Sequence, residues 1–341
     1  MEKIRLGIIG CGVMQGAHTD GFLHLEDICK VTATCDIVKE RAEAAANALG
    51  AEFFTTDYKE MSNYVDAVLI VLPHQLHFEC GMFFLGENKH VLMEKPLCNT
   101  EEECVALSEE AEKRNLVLMC AYPVRYWAGV RKLKELLDSG KYGEIFQMSI
   151  WTEQYTDTSR GDWMGDAKKL GGGQLFSHGC HYIDLLLWFL GNPVSGVHFG
   201  TNKGTPWMEK EGSSNVILTF ENGAMAYHFG TWGARGSVHD YDFQIHTDKG
   251  FFEYSHTKSK LIFRDDKGPD AGEVKEIVWS FEDSTKQTQY ETRHFLECII
   301  NHKKPLTDAR SSIQSLRVIW KLYEAEENNA IADLRGLGIP E

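Results

Sequence analysis

Basic charge is what this sequence has too little of. Lysine and arginine total 35 against 50 aspartates and glutamates, a formal net charge of −15. A phosphate backbone or an anionic membrane calls for a basic face, so neither is expected as a partner. Long apolar runs are missing too: no stretch reaches the roughly 20 residues that a membrane span requires. The opening MEKIRLGIIG is charged and then strand-like, without a secretory cleavage pattern. The nine cysteines are scattered and odd in number, and no CxxC pair occurs. That argues against a disulfide frame and a zinc ribbon, and predicts reduced core thiols in a cytoplasmic protein. No internal repeat or low-complexity linker interrupts the 341 residues, a length sufficient for two domains with separate cores.

What is present begins with alternation. Short β-branched runs (IRLGIIG, KVTATCD, DAVLIVLP, KHVLMEKP, LVLMCAY) are separated by helical patterns at roughly 14–26, 38–49, 75–87 and 100–114. Continuous apolar strands between helices predict a parallel sheet covered on both faces. The first turn, GCGVMQGAH, lies between a strand and a helix, where a dinucleotide fingerprint is expected. Gly10 permits the tight turn, and Gly12 lets the backbone approach a pyrophosphate. Gln15 occupies the third glycine position, which loosens the pattern. Asp36 ends the second strand, where a carboxylate can bind the adenosine ribose hydroxyls and repel a 2′-phosphate; capping the next helix is its other possible role. NAD is therefore favoured over NADP, with Lys39 and Arg41 keeping NADP as the lesser alternative.

Beyond residue 122 the pattern changes. VILTFENGAMAYHFGTW and YDFQIHTDKGFFEYSH place turn signals between β-rich arms, as in antiparallel hairpins. The stretch GGGQLFSHGCHYID sets three glycines before His178, His181 and Asp184. On a regular α-helix Ser177, His181 and Asp184 share one face. The HxxHxxD spacing allows a metal, but no third ligand type stands nearby, and no metal is expected.

The full set of motifs resembles the Gfo/Idh/MocA oxidoreductase family. It comprises GCGVMQGAH (10–18), LPHQLH (72–77), EKPL (94–97), AYPVRY (121–126), GKYGEI (140–145), GGGQLFSHGCHYID (171–184) and the tail TDARSSIQSLRVIWKLYEAEE. The resemblance implies an α/β fold: a Rossmann NAD(P)-binding domain over 1–122, then a substrate-binding and oligomerisation domain over 123–341. The second domain is expected to carry a large, mostly antiparallel sheet, with a helix at 308–327 closing the fold. It implies a cofactor set of Gly10, Gly12, Val13, Met14, Asp36, Pro73, His77, Glu94 and Lys95. Lys95 would bond the substrate hydroxyl, Glu94 would support the nicotinamide ribose, and His181 would handle the hydroxyl proton. Histidine suits that task because its ordinary pKa is closest to neutrality.

One position departs from the family: Ser177 stands where relatives commonly carry a catalytic aspartate, and His178 beside it is a candidate replacement. Tyr122, Arg125, Arg160, Trp163, Ser177 and His178 are the expected substrate-binding residues. The expected activity is hydride transfer between nicotinamide and a secondary hydroxyl of a sugar, glycoside or cyclitol, by a homodimer or homotetramer formed through the C-terminal sheet. A second reading is an NAD-dependent glycoside hydrolase or lyase that oxidises C3 transiently, with His178 as base, because LFSHG resembles the Thr-His-Gly stretch of the family's glycosidase branch. A nucleotide-sensing regulator without chemistry is a third, disfavoured by the retention of Lys95 and His181.

Overall fold

A computed structural model describes residues 3–22, 24–157, 162–237, 239, 241–265, 275–281 and 288–339. The chain divides into two compact units, Met1–Pro123 with Lys286–Ile313, and Val124–Thr285 with Gln314–Glu341.

In the first unit, β1 (Ile4–Ile9), β2 (Cys29–Cys35), β3 (Phe53–Thr55), β4 (Ala67–Ile70), β5 (His90–Glu94) and β6 (Leu118–Ala121) form one sheet in the order β3-β2-β1-β4-β5-β6. Every neighbouring pair is parallel. All four residues of β4 and of β6 are buried, as strands covered on both faces require. This order reverses direction between β1 and β4, so the carboxyl ends of these strands open a crevice where ligands bind in such sheets. The helices are α1 (Val13–Phe22), α2 (Lys39–Leu49), α3 (His77–Gly86) and α4 (Glu101–Lys113). Thr100 caps α4 by accepting the Glu103 N–H, and three glutamates in its first turn favour the positive helix end. β3, only three residues long, is too short for periodicity to reveal.

The segment Lys286–Ile313 belongs with this unit, although it follows the second-unit sheet in the chain. Its Thr307 and Asp308 seal the edge of β6: Cys120 N donates to Thr307 O at 2.9 Å, and Thr307 Oγ1 donates back to Cys120 O at 2.7 Å. A covered edge cannot template another strand. Helix α8 (Thr288–Asn301) docks on α1 through Thr288 Oγ1 and the Ala17 carbonyl.

The second unit is built on nine strands: β7 (Ile145–Glu153), β8 (Pro193–Thr201), β9 (Ser213–Phe220), β10 (Met225–Thr231), β11 (Tyr241–Thr247), β12 (Gly250–Ser255), β13 (Lys260–Asp265), β14 (Lys275–Ser280) and β15 (Ala332–Asp333). Their order is β14-β13-β12-β11-β7-β10-β9-β8-β15, and only β7 with β10 is parallel. The expected hairpins form: β9 turns to β10 over Glu221–Asn222–Gly223, with Gly223 at φ 84°, and β11 turns to β12 over Asp248–Lys249. One sheet face buries Met148, Ile150, Val216, Leu218 and Phe243, while Phe199, Ile217 and Met225 stand exposed on the other. Helices α5 (Ala128–Asp138), α6 (Ala167–Leu170), α7 (Cys180–Leu190) and the later part of α9 (Ala309–Glu327) complete the unit.

Candidate active site

In the first unit, the turn after β1 is shaped by contact. Gly10 has φ 92°, and a Cβ there would lie 2.1 Å from the Val71 carbonyl oxygen, so only glycine fits. A Cβ on Gly12 would meet nothing within 4 Å, which leaves open space over the first turn of α1, where Val13 and Met14 start the helix. Asp36 Oδ2 accepts the Cys11 N–H and Oδ1 accepts the Val38 N–H, both at 2.8 Å. It therefore braces the glycine turn and does not cap α2, whose N-cap is Val38. A carboxylate has further lone pairs, so ribose hydroxyls remain within its capacity. Ile37 beside it is 90% exposed, an apolar surface suited to a flat base. These features fit a dinucleotide: an anion at a helix start, a carboxylate one strand away and an apolar shelf.

Glu94 closes β5 as a buried carboxylate. Its Oε1 lies 2.8 Å from His18 Nε2, and its Oε2 accepts the Lys95 N–H at 3.2 Å. Lys95 is half-buried, and the Lys95–Pro96 peptide is cis. His77, expected at the cofactor, is instead wholly buried. Its Nδ1 and Nε2 lie 2.9 Å from the carbonyl oxygens of Pro96 and Leu72 respectively. Burial holds its pKa below the ordinary histidine value, and the neutral ring donates to one of these carbonyls while packing between the Leu72–Pro73 loop and the EKP segment. Pro73 is half-buried in that loop.

In the second unit, the glycine triplet has three separate tasks. Gly171 ends α6 in the left-handed region at φ 86°. A Cβ on Gly172 would lie 2.7 Å from that of Phe176, and one on Gly173 would lie 2.1 Å from the Glu211 carboxylate. These glycines make room for protein groups of the same unit. Glu211 Oε1 accepts the Leu175 N–H at 3.1 Å and the Tyr323 hydroxyl at 2.7 Å, and the same hydroxyl receives the Gly173 and Phe176 N–H groups. A carboxylate from a distant loop and a tyrosine from α9 therefore satisfy the helix start. Burial raises the pKa of Glu211.

The next turn, Leu175–Gly179, is π-helical, and α7 continues from it. A π turn is wider than an α turn and often marks a functional site. It removes the simple four-residue spacing assumed for Ser177 and His181. It also leaves His178 half-exposed, with its ring 5.8 Å from that of His181 and 5.4 Å from that of Tyr182. Gln174 Nε2 lies 3.4 Å from His178 Nδ1, while Ser214 Oγ donates to Gln174 Oε1 at 2.9 Å. His181 and Ser177 are buried.

Arg125, expected among the substrate-binding residues, is engaged by protein groups of the second unit. It is buried, and its Nε and Nη2 donate to the two Asp184 oxygens at 2.6 Å each, with the guanidinium 5.2 Å over Trp188. The pair ties the Pro123–Tyr126 turn to α7. Trp163 packs half-buried on a cluster of Met164, Leu170, Met208 and Trp232. Tyr122 is fully buried in the first unit, and Arg160 lies outside the described residues. Four residues that sequence patterns did not single out emerge here: His18, Gln174, Glu211 and Tyr323. Each acts through a partner far along the chain or on an irregular turn, so no local spacing announces it.

Comparison with known proteins supplies the remaining evidence. Residues 4–122 match the family described as "Oxidoreductase family, NAD-binding Rossmann fold", and residues 130–253 match its C-terminal domain. The scyllo-inositol 2-dehydrogenase (NAD(+)) of Bacillus subtilis (strain 168) is 25% identical over 322 residues, covering 92% of this chain and 91% of that one. The 2,7-anhydro-N-acetylneuraminate hydratase of Escherichia coli (strain K12) is 26% identical over 242 residues, 65% of this chain and 62% of that one. A solved levoglucosan dehydrogenase in complex with NADH shares the fold with a TM-score of 0.89 at 20% identity, over 98% of this chain and 99% of that one. With both of its domains matched over the greater part of the sequence, the chain belongs to the Gfo/Idh/MocA family of NAD-binding oxidoreductases.

Proposed function

We propose that the chain is an NAD-dependent dehydrogenase acting on a secondary hydroxyl of a sugar, glycoside or cyclitol. The observation that carries this reading is the joint retention of Lys95 directly after β5 and His181 on α7, two proton-handling groups in family motifs. Relatives named as inositol and levoglucosan dehydrogenases support the substrate class. Gly10, Gly12, Val13, Met14, Asp36, Pro73 and Glu94 would hold NAD, while His77 shapes the loop from behind. When bound, NAD supplies the hydride acceptor. Lys95 donates a hydrogen bond to the substrate oxygen, and His181 takes the hydroxyl proton, a task suited to imidazole near neutral pH. The Asp36 carboxylate favours NAD over NADP. A panel of inositols, sugars and glycosides incubated with NAD tests the reading: NADH should accumulate with at least one polyol, and no reduction across the panel would refute it.

One observation favours the second reading. The half-exposed His178 ring adjoins His181, where a second base would serve transient oxidation followed by elimination. Aglycone release without net NADH would mark that course.

The exposed sheet face carrying Phe199, Ile217 and Met225, at 69, 49 and 48% exposure, supports a homodimer or homotetramer. Light scattering should return a multiple of the 38.6 kDa chain mass, and a monomer would contradict it. Nine buried cysteines outside any disulfide suit a reducing compartment, in keeping with a cytoplasmic location. Fractionation of the source cells checks this, and recovery outside the cytoplasm would oppose it. Among the described residues, no helix is long and apolar enough to cross a membrane.

A further inference from the structure

Behind Glu94 lies a buried acid that the proposed chemistry does not use. Glu291, on α8, has no exposed surface, and among the described residues neither of its carboxyl oxygens has a hydrogen-bond partner. The charged group acting on it is Glu94, at the end of β5, a strand that packs against α8. His18, on α1, is bound to Glu94 through Nε2, and among the described residues its Nδ1 is buried without a hydrogen-bond partner. The cation nearest along α8, Arg293, turns outward to Asp27 at 2.9 Å, and His294 Nε2 accepts the Leu306 N–H. Among the described residues no cation pairs with Glu291, and burial followed by the Glu94 charge raises its proton affinity far above that of an ordinary carboxylate.

We propose that Glu291 is a positioning residue, carried as the neutral carboxylic acid, which keeps Glu94 the sole anion of the Glu94–His18–Glu291 cluster. With one negative charge, Glu94 holds both of its observed bonds, to His18 Nε2 and to the Lys95 N–H. A second carboxylate in the same dry space would repel it from them. The consequence for the cofactor rests on the reading that Glu94 serves NAD.

The test compares Glu291→Gln with the parent across pH, because glutamine copies the neutral acid without its titration. The native state holds a proton that the unfolded chain releases above about pH 4.3, so the contribution of Glu291 to parent stability falls as pH rises. In chemical unfolding, the parent-to-variant ratio of unfolding constants should rise with pH above about pH 4.3, by up to about tenfold per pH unit while the native Glu291 keeps its proton. NADH affinity, followed by fluorescence, should weaken at alkaline pH in the parent and not in the variant. A pH-independent ratio, or a variant as pH-sensitive as the parent, would overturn the proposal. Glu94→Gln separates the two layers. If it binds NADH normally, the cofactor reading of Glu94 fails and the NADH arm with it, whereas the unfolding arm, which compares the parent with Glu291→Gln, does not involve the cofactor.

Discussion

Lys95→Ala is expected to lower kcat by about 10²- to 10⁴-fold, far more than it weakens NADH binding. That range is what a positioned proton-transfer group contributes. Lys95 directly follows β5, and its backbone N–H is fixed by Glu94, so its direction is set by the strand end. Arginine should not restore activity, because a planar fork cannot replace a compact ammonium at one oxygen. Steady-state kinetics on the best substrate of the panel, with NADH binding measured separately, reads both quantities. Full activity of Lys95→Ala would remove the lysine from the mechanism.

The second large effect concerns Arg125 and Asp184. Their side chains are 1% and 0% exposed, and both oxygens of the aspartate are engaged. Removing one partner strands a buried charge at a cost of about 3–5 kcal/mol. Asp184→Ala should therefore lower Tm by on the order of 10 °C, taking roughly 2–4 °C per kcal/mol for a unit of this size. Arg125→Met combined with Asp184→Leu should recover much of that loss, since no uncompensated charge remains. Thermal unfolding of the two single variants and the double variant provides the check. An Arg125→Ala protein of unchanged Tm and raised KM would return Arg125 to the substrate.

These two cases show what the sequence makes legible. Continuous apolar strands, the GxG turn and the EKP segment announced the Rossmann sheet, because each is a local pattern with a local cause. The hairpins around Gly223 and Asp248–Lys249 were visible for the same reason. The AYPVRY junction gives no local sign that the Arg125 guanidinium meets Asp184, 59 residues on. The glycine triplet gives no local sign of what it approaches, which is Phe176 and Glu211. His77 sits in a cofactor-loop motif and serves the loop rather than showing a free ring nitrogen. The π turn was hidden because helical periodicity assumes the α pitch, and one widened turn resets which side chains adjoin.

The central claim is a net transfer of hydride from a carbinol carbon to NAD. It is tested most directly with a substrate from the panel deuterated at that carbon, followed by mass spectrometry of the cofactor and the sugar. The account predicts that deuterium accumulates in reduced nicotinamide in proportion to ketone formed, and that both Lys95→Ala and His181→Ala suppress it. Product formed with the cofactor left oxidised, and the label returned to the sugar or absent from nicotinamide altogether, would contradict it.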